Sequence, residues 1–147
     1  MRQRQRSWVV GVCGYVGVWM VGAAVAVAQT RVYSPIAITP GKSINDKLTR
    51  NDIPTGQGGF ARDYTVQLQA GNQVTMEVSS ENFDSILYLI AADGTTIAEN
   101  DDGPDGSTNS LLFARVAKTG TYIVRVRSFG EASGGNFTLK VTLLKPQ

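Results

Sequence analysis

From residue 64 onward the chain alternates apolar and polar side chains with a period of two. Tyr64, Val66 and Leu68 fall on one side of an extended backbone, and Thr65, Gln67 and Gln69 on the other. That alternation predicts a strand with one buried face. After the turn sequence Ala70-Gly71-Asn72-Gln73, Val74, Met76 and Val78 take up the pattern against Thr75 and Glu77, so the two segments are expected to form a hairpin. Residues 86–91 are a continuous apolar run between Asp84 and Asp93-Gly94, which predicts a central strand covered on both faces. Ile97-Ala98 opens another short strand, residues 99–110 read as an acidic loop containing Gly and Pro, and residues 111–116 read as the next strand. Beyond Lys118-Thr119-Gly120-Thr121, a turn, Tyr122, Val124 and Val126 alternate with Ile123, Arg125 and Arg127, and the arginines mark the solvent face. The last strand sets Phe137, Leu139, Val141 and Leu143 against Thr138, Lys140 and Thr142.

No helical period follows the first 28 residues. The expected fold class is therefore all-β, an antiparallel β-sandwich of about seven to nine strands. Residues 29–60 are polar and turn-rich, with Pro35, Pro40-Gly41, Pro54 and Gly56-Gln57-Gly58-Gly59. Residues 29–47 are expected to be an extended lead-in and residues 48–147 the sandwich. Short strands near 31–38 and 43–48 would let Ile44 and Leu48 cover an edge of the core. The glycine cluster formally fits a dinucleotide fingerprint, but a period-two strand follows it where a helix would have to begin.

The N-terminal 28 residues have a different character. Arg2, Arg4 and Arg6 precede an uncharged apolar stretch from Trp8 to Ala28, which closes on Ala26-Val27-Ala28 before Gln29. This is the layout of a bacterial export signal, with cleavage expected between Ala28 and Gln29. The stretch is also long enough, about 30 Å as a helix, to span a bilayer, so an N-terminal membrane anchor is the alternative. Either reading puts the domain outside the cytoplasm, secreted, periplasmic or in the cell envelope. Cleavage would leave no stable membrane insertion.

Charge follows from the same division. The chain carries 14 basic and 12 acidic side chains; without the three signal arginines the basic count drops to 11 and the domain is slightly acidic. The basic balance belongs to the signal, and the clustered positive face that nucleic acid requires is not expected. Beyond residue 28 there is no cysteine and no histidine. Disulfides, thiol nucleophiles, Ser-His-Asp triads and His/Cys zinc sites are thereby excluded from the domain.

Between residues 48 and 144 the chain resembles the bacterial pre-peptidase C-terminal (PPC) domain family, as a standalone secreted member. The resemblance is carried by Tyr64-Thr65-Val66, Ala70-Gly71-Asn72-Gln73-Val74-Thr75, Phe83-Asp84-Ser85-Ile86-Leu87-Tyr88-Leu89 and Asp93-Gly94. It continues through Ile97-Ala98-Glu99-Asn100-Asp101-Asp102, Thr119-Gly120-Thr121-Tyr122-Ile123-Val124 and Gly135-Asn136-Phe137-Thr138-Leu139. Their order and spacing, rather than any one piece, are specific. The resemblance implies a jelly-roll-like sandwich without catalytic machinery. Related collagen-binding modules also take calcium ligands from the segment before the sandwich, which brings in Asp46 and Asp52 as weaker candidates.

Asn100, Asp101, Asp102 and Asp105 place three carboxylates and an amide in one loop, a donor set that suits calcium. The competing reading is a solvated acidic turn whose side chains cap backbone amides. Asp84 either completes a calcium shell or bonds neighbouring amides. No cofactor is required, and calcium is the one metal the residues suggest. Tyr33, Tyr64, Tyr88, Tyr122, Phe113 and Phe137 fall mostly on the inward alternation, while Phe129 lies in a loop, so core packing is preferred to a sugar-stacking platform. The expected function is a non-catalytic accessory or binding module that contacts an extracellular protein or polysaccharide, with calcium as an optional stiffener. The alternative is a structural or self-assembling envelope protein. A carboxylate-based hydrolase, which needs an acid and a base facing each other across a cleft, ranks last.

Overall fold

The computed structural model describes residues 33–104, 106–132 and 134–144; the expected cleavage site at Ala28 and Gln29 and the candidate Asp105 lie outside them. Ten strands form among these residues: β1 (Ile36–Ala37), β2 (Ser43–Leu48), β3 (Ile53–Pro54), β4 (Phe60–Leu68), β5 (Gln73–Ser79), β6 (Ser85–Ile90), β7 (Thr96–Asn100), β8 (Ser110–Arg115), β9 (Gly120–Ser128) and β10 (Gly135–Leu144). They build two sheets. One runs β1-β4-β9-β6-β7, with β3 also on β4, and the other runs β2-β10-β5-β8. The fold class read from the sequence is therefore the one found. The pairings are antiparallel except for the two-residue β1, which lies parallel to β4.

Alternation along each long strand turns one row of side chains to the other sheet. Tyr64, Val66 and Leu68 of β4, Tyr122, Val124 and Val126 of β9, and Leu87 and Leu89 of β6 supply one inner face. Val74, Met76 and Val78 of β5, Leu139 and Val141 of β10, and Leu112 and Ala114 of β8 supply the other; all of these are buried. The Phe137 ring meets Tyr64 of the opposite sheet edge-on, with centroids 6.4 Å apart, and Phe83 in the same manner at 6.1 Å. Ser85 on β6 and Ser110 on β8 bring polar groups inside, where their hydroxyls bond each other at 2.7 Å and the Ser110 hydroxyl donates to the Ser85 carbonyl. Each buried hydroxyl thus has a partner, as burial of a polar group requires.

The hairpin expected from residues 64–78 does not form. β4 and β5 belong to different sheets, and residues 69–72 arch from one to the other. Gly71, with φ of 87°, makes the turn; its N–H bonds the Val116 carbonyl, while the Val116 N–H bonds the Asn72 carbonyl. A period-two pattern reports that each strand has one buried face. It does not report whether the next strand lies beside that face or opposite it. The acidic loop is also shorter than expected, because β7 continues through Glu99 to Asn100. β2 pairs along β10 from Ser43 to Leu48, where a short strand was expected, and Leu48 lies fully inside the core.

β9 lies between β4 and β6, and Val124, opposite Tyr64 and Leu89, has no exposed surface. Val124→Asp is expected to prevent folding by burying a charge without a partner. Circular dichroism and thermal melting check this; a cooperative melt at the wild-type temperature would contradict the register.

Candidate binding surface

The calcium candidates are spread over three segments. Asn100 ends β7, and its amide donates to the carbonyls of Asp102 and Leu111, both at 2.8 Å. Asp101 and Asp102 follow with exposed side chains, and the Asp102 carbonyl accepts from the Leu111 N–H. Asp84 precedes β6 on the other side of the loop, half-buried, and its carbonyl accepts from the Phe129 N–H at 2.8 Å. The backbone of this region is thus held by protein groups. Among the described residues, no three His, Cys, Asp or Glu side chains gather to hold a metal.

Asp46 and Asp52, the weaker calcium candidates, do converge on a cation, and it is Arg62. The inward parity of β4 carries Arg62 past the apolar rows to the end of the sandwich. There its Nη1 reaches Asp46 at 2.5 Å, while Nε and Nη2 reach Asp52 at 2.8 and 3.1 Å. The Tyr64 hydroxyl donates to the second oxygen of Asp46 at 2.7 Å, and the Thr49 N–H and hydroxyl donate to Asp52. Burial alone would raise the Asp46 pKa. The bonds from Tyr64, Arg62 and the Lys47 N–H outweigh it and hold the carboxyl below its usual range. Burial and the Asp46 bond together drive the Tyr64 hydroxyl well above the ordinary phenol value.

A second cluster sits on the outer face of the β4–β9 pair. Asp63 is buried although its parity points outward, because Arg125 and Tyr33 cover it. The Arg125 guanidinium grips both oxygens at 2.7 and 2.8 Å, and the Tyr33 hydroxyl donates at 2.6 Å. The face assigned to solvent is therefore partly closed, and Arg125 is half-buried. Its bonds to Asp63 outweigh burial and raise its pKa. Desolvation, followed by the bond to Asp63, pushes Tyr33 up to about 12. The sequence does not pair Asp63 with Tyr33: Tyr33 reads only as one aromatic among several, and an acid at an outward position of β4 by itself reads as solvated.

Beside this cluster runs a groove of about 250 Å³, lined by Ile53, Pro54, Thr55, Ala61, Tyr88, Ile90, Thr96, Arg125 and Arg127. On the opposite sheet a cavity of about 460 Å³ lies between the 103–104 turn and the outer faces of β5, β8 and β10, with Glu77 and Lys140 beside each other. The aromatic expectation needs correction. Tyr64, Tyr122, Phe83 and Phe137 are core residues, but Phe113 and Tyr33 join Phe129 at the surface, each about half exposed. Phe113 has the outward parity of β8, between the inward Leu112 and Ala114.

These features define a two-sheet β-sandwich in which Asp46, Asp52 and Asp63 are each held by an arginine. Residues 61–128, β4 through β9, match the bacterial pre-peptidase C-terminal domain family. The crystal structure of the pre-peptidase C-terminal domain of a collagenase from Bacillus anthracis aligns with a TM-score of 0.57 at 16% identity, over 78% of this chain and 100% of that one. PliG of Aeromonas hydrophila, a periplasmic lysozyme inhibitor of g-type lysozyme, aligns with a TM-score of 0.55 at 14% identity, over 76% of this chain and 96% of its own. The sequence matches no curated protein. The chain is thus similar to the bacterial pre-peptidase C-terminal family over residues 61–128, and it shares its sandwich fold with the collagenase domain and with PliG. Among the described residues, no helix is long and apolar enough to cross a membrane.

Two measurements test the clusters. Arg125→Ala would leave the Asp63 side chain, 1% exposed, without its counter-charge, at a cost of about 3–5 kcal/mol in urea unfolding. In alkali, the folded state holds the phenol protons of Tyr33 and Tyr64 more tightly than the unfolded chain. Stability is therefore complete below about pH 10 and falls as pH rises towards 12. Tyr33→Phe should flatten part of that fall.

Proposed function

We propose that this domain is a non-catalytic binding module that acts outside the cytoplasm on a protein partner. The observation that carries the reading is the commitment of three carboxylates to arginines. Asp46 and Asp52 are spent on Arg62, and Asp63 on Arg125 and Tyr33. A carboxylate-based glycoside hydrolase needs two carboxylates poised across a cleft. Asp46 and Glu81 both line the open depression at one end of β2, β5 and β10, but Asp46 is already held by Arg62 and Tyr64 there. What the sandwich offers instead is outer-face grooves on a rigid frame, which is binding geometry.

A protein is favoured over a polysaccharide because the exposed aromatics share no face. Tyr33 covers Asp63 outside β4, Phe113 projects from β8 in the other sheet, and Phe129 follows β9, so successive sugars would find no common stacking platform. The resemblance of the fold to PliG, an inhibitor of a lysozyme, supports a partner of the same broad kind without naming it. Calcium on Asp101 and Asp102 belongs to this proposal as an optional stiffener of the loop.

The test is capture by the immobilised protein from the extracellular and periplasmic fraction of the source bacterium, in calcium and in chelator. Captured proteins would then be identified and their binding remeasured with purified components. A single protein bound at a defined stoichiometry and left chemically unchanged is expected. Turnover of the bound molecule, or binding of polysaccharide alone, would overturn the reading. Capture that needs calcium and is lost in Asp101→Asn/Asp102→Asn would assign the metal to that loop.

A further inference from the structure

Three arginines are half-buried among the described residues: Arg62, Arg125 and Arg127. The first two each hold a carboxylate. Arg127 does not. Its Nη1 donates to two neutral acceptors, Gln57 Oε1 at 3.1 Å and the Tyr88 hydroxyl at 3.3 Å, and its Nε is buried with no hydrogen-bond partner. A guanidinium has five donors and is always charged, and sheltering one from water is costly unless a counter-charge arrives. The carboxylates nearby do not supply it. Asp63 is taken by Arg125, and among the described residues the ion pairs are those of Arg62 and Arg125, so Glu99, opposite Tyr88 in the β6–β7 register, does not neutralise Arg127.

Arg127 lines the groove on the outer face of β4, β9 and β6, and the rest of the lining suits an acid on a short aliphatic stem. Ile53, Pro54 and Ile90 make an apolar wall. The Tyr88 hydroxyl, which accepts from Arg127, keeps its own proton for an incoming oxygen. The volume, about 250 Å³, falls below the roughly 300–1,000 Å³ of small-molecule pockets and is closer to side-chain size. We propose that this groove takes a carboxylate side chain, glutamate or aspartate, from an exposed segment of the partner protein. The proposal rests on the protein-binding reading above and assigns its anchor point.

The test has two arms. In the first, nitrogen-15-labelled protein is titrated with acetyl-Gly-Glu-Gly-amide, and in parallel with the glutamine peptide, glucuronate and sulfate. The glutamate peptide should move the Arg127 Nε–H resonance and the amides of Thr55 and Thr96, and the glutamine peptide should not. Arg127→Lys keeps the charge but loses the fork that a carboxylate matches, and Arg127→Gln loses both; the response should vanish in each while the rest of the spectrum stays folded. Equal shifts from both peptides, or shifts from glucuronate or sulfate alone, would overturn the proposal in favour of no carboxylate selectivity, a saccharide site or a general anion site.

In the second arm, the purified partner should bind Arg127→Gln about tenfold or more weakly than wild type, and Arg115→Gln, an exposed arginine of the other sheet, like wild type. Equal binding to Arg127→Gln would overturn the groove and leave the binding-module reading intact. Failure of the wild-type protein to bind any protein would overturn that reading and, with it, the occupant named here.

Discussion

The inner faces of β4 and β9 meeting those of β5 and β10 are the constraint on which everything else rests. Tyr64 and Val124 stand opposite each other in one sheet, Met76 and Val141 in the other, and all four are buried. Without disulfides beyond residue 28, this apolar contact is the main source of cohesion. Its period of two dictates where polar side chains go. Every second residue must leave the core, and a charged residue with inward parity is tolerated only where the strand runs past the end of the packed layer.

Both charge clusters follow from that rule. Arg62 has inward parity on β4 and emerges at the open end, where β2 and the 49–52 turn supply Asp46 and Asp52. Asp63 has outward parity and would be solvated, but Tyr33 and Arg125 close over it. In each case the arginine spans segments distant in sequence: Arg62 ties β4 to β2, and Arg125 ties β9 to β4. Ion pairs of this kind contribute little net stability compared with apolar packing, but they penalise any register that separates them. Arg127, two residues beyond Arg125 on the same face, has no such acid among the described residues and is left facing a groove.

Most of the sheet was legible because strand identity is a local property. The alternations at 64–68, 74–78, 122–126 and 137–141 correspond to strands with the expected face inside, while Leu143, expected on the inward row, lies exposed near the end of β10. Leu111 and Phe113 were harder, because four apolar residues in a row give no parity, and the structure turns Leu112 and Ala114 inward. The site was much less legible. Asp46 and Asp52 entered only through the family resemblance, as weaker calcium candidates, and the cation they meet is a side chain 10–16 residues further along the chain. Nothing local distinguishes that case from a metal ligand.

The sequence by itself determined that the chain has one apolar face per strand and turns rich in glycine and aspartate, and that the domain lacks thiol and imidazole chemistry. Those properties depend on residue type and neighbour spacing alone. The tertiary structure decided which strands pair and which stack. It arched β4 over to the other sheet to make β5, drew β2 from a turn-rich segment onto β10, and buried Asp63 under Tyr33, 30 residues away. It also decided which arginines are neutralised. Contacts of that range depend on how the sheets are ordered, and alternation is the same whether a strand's neighbour lies beside it or across the core.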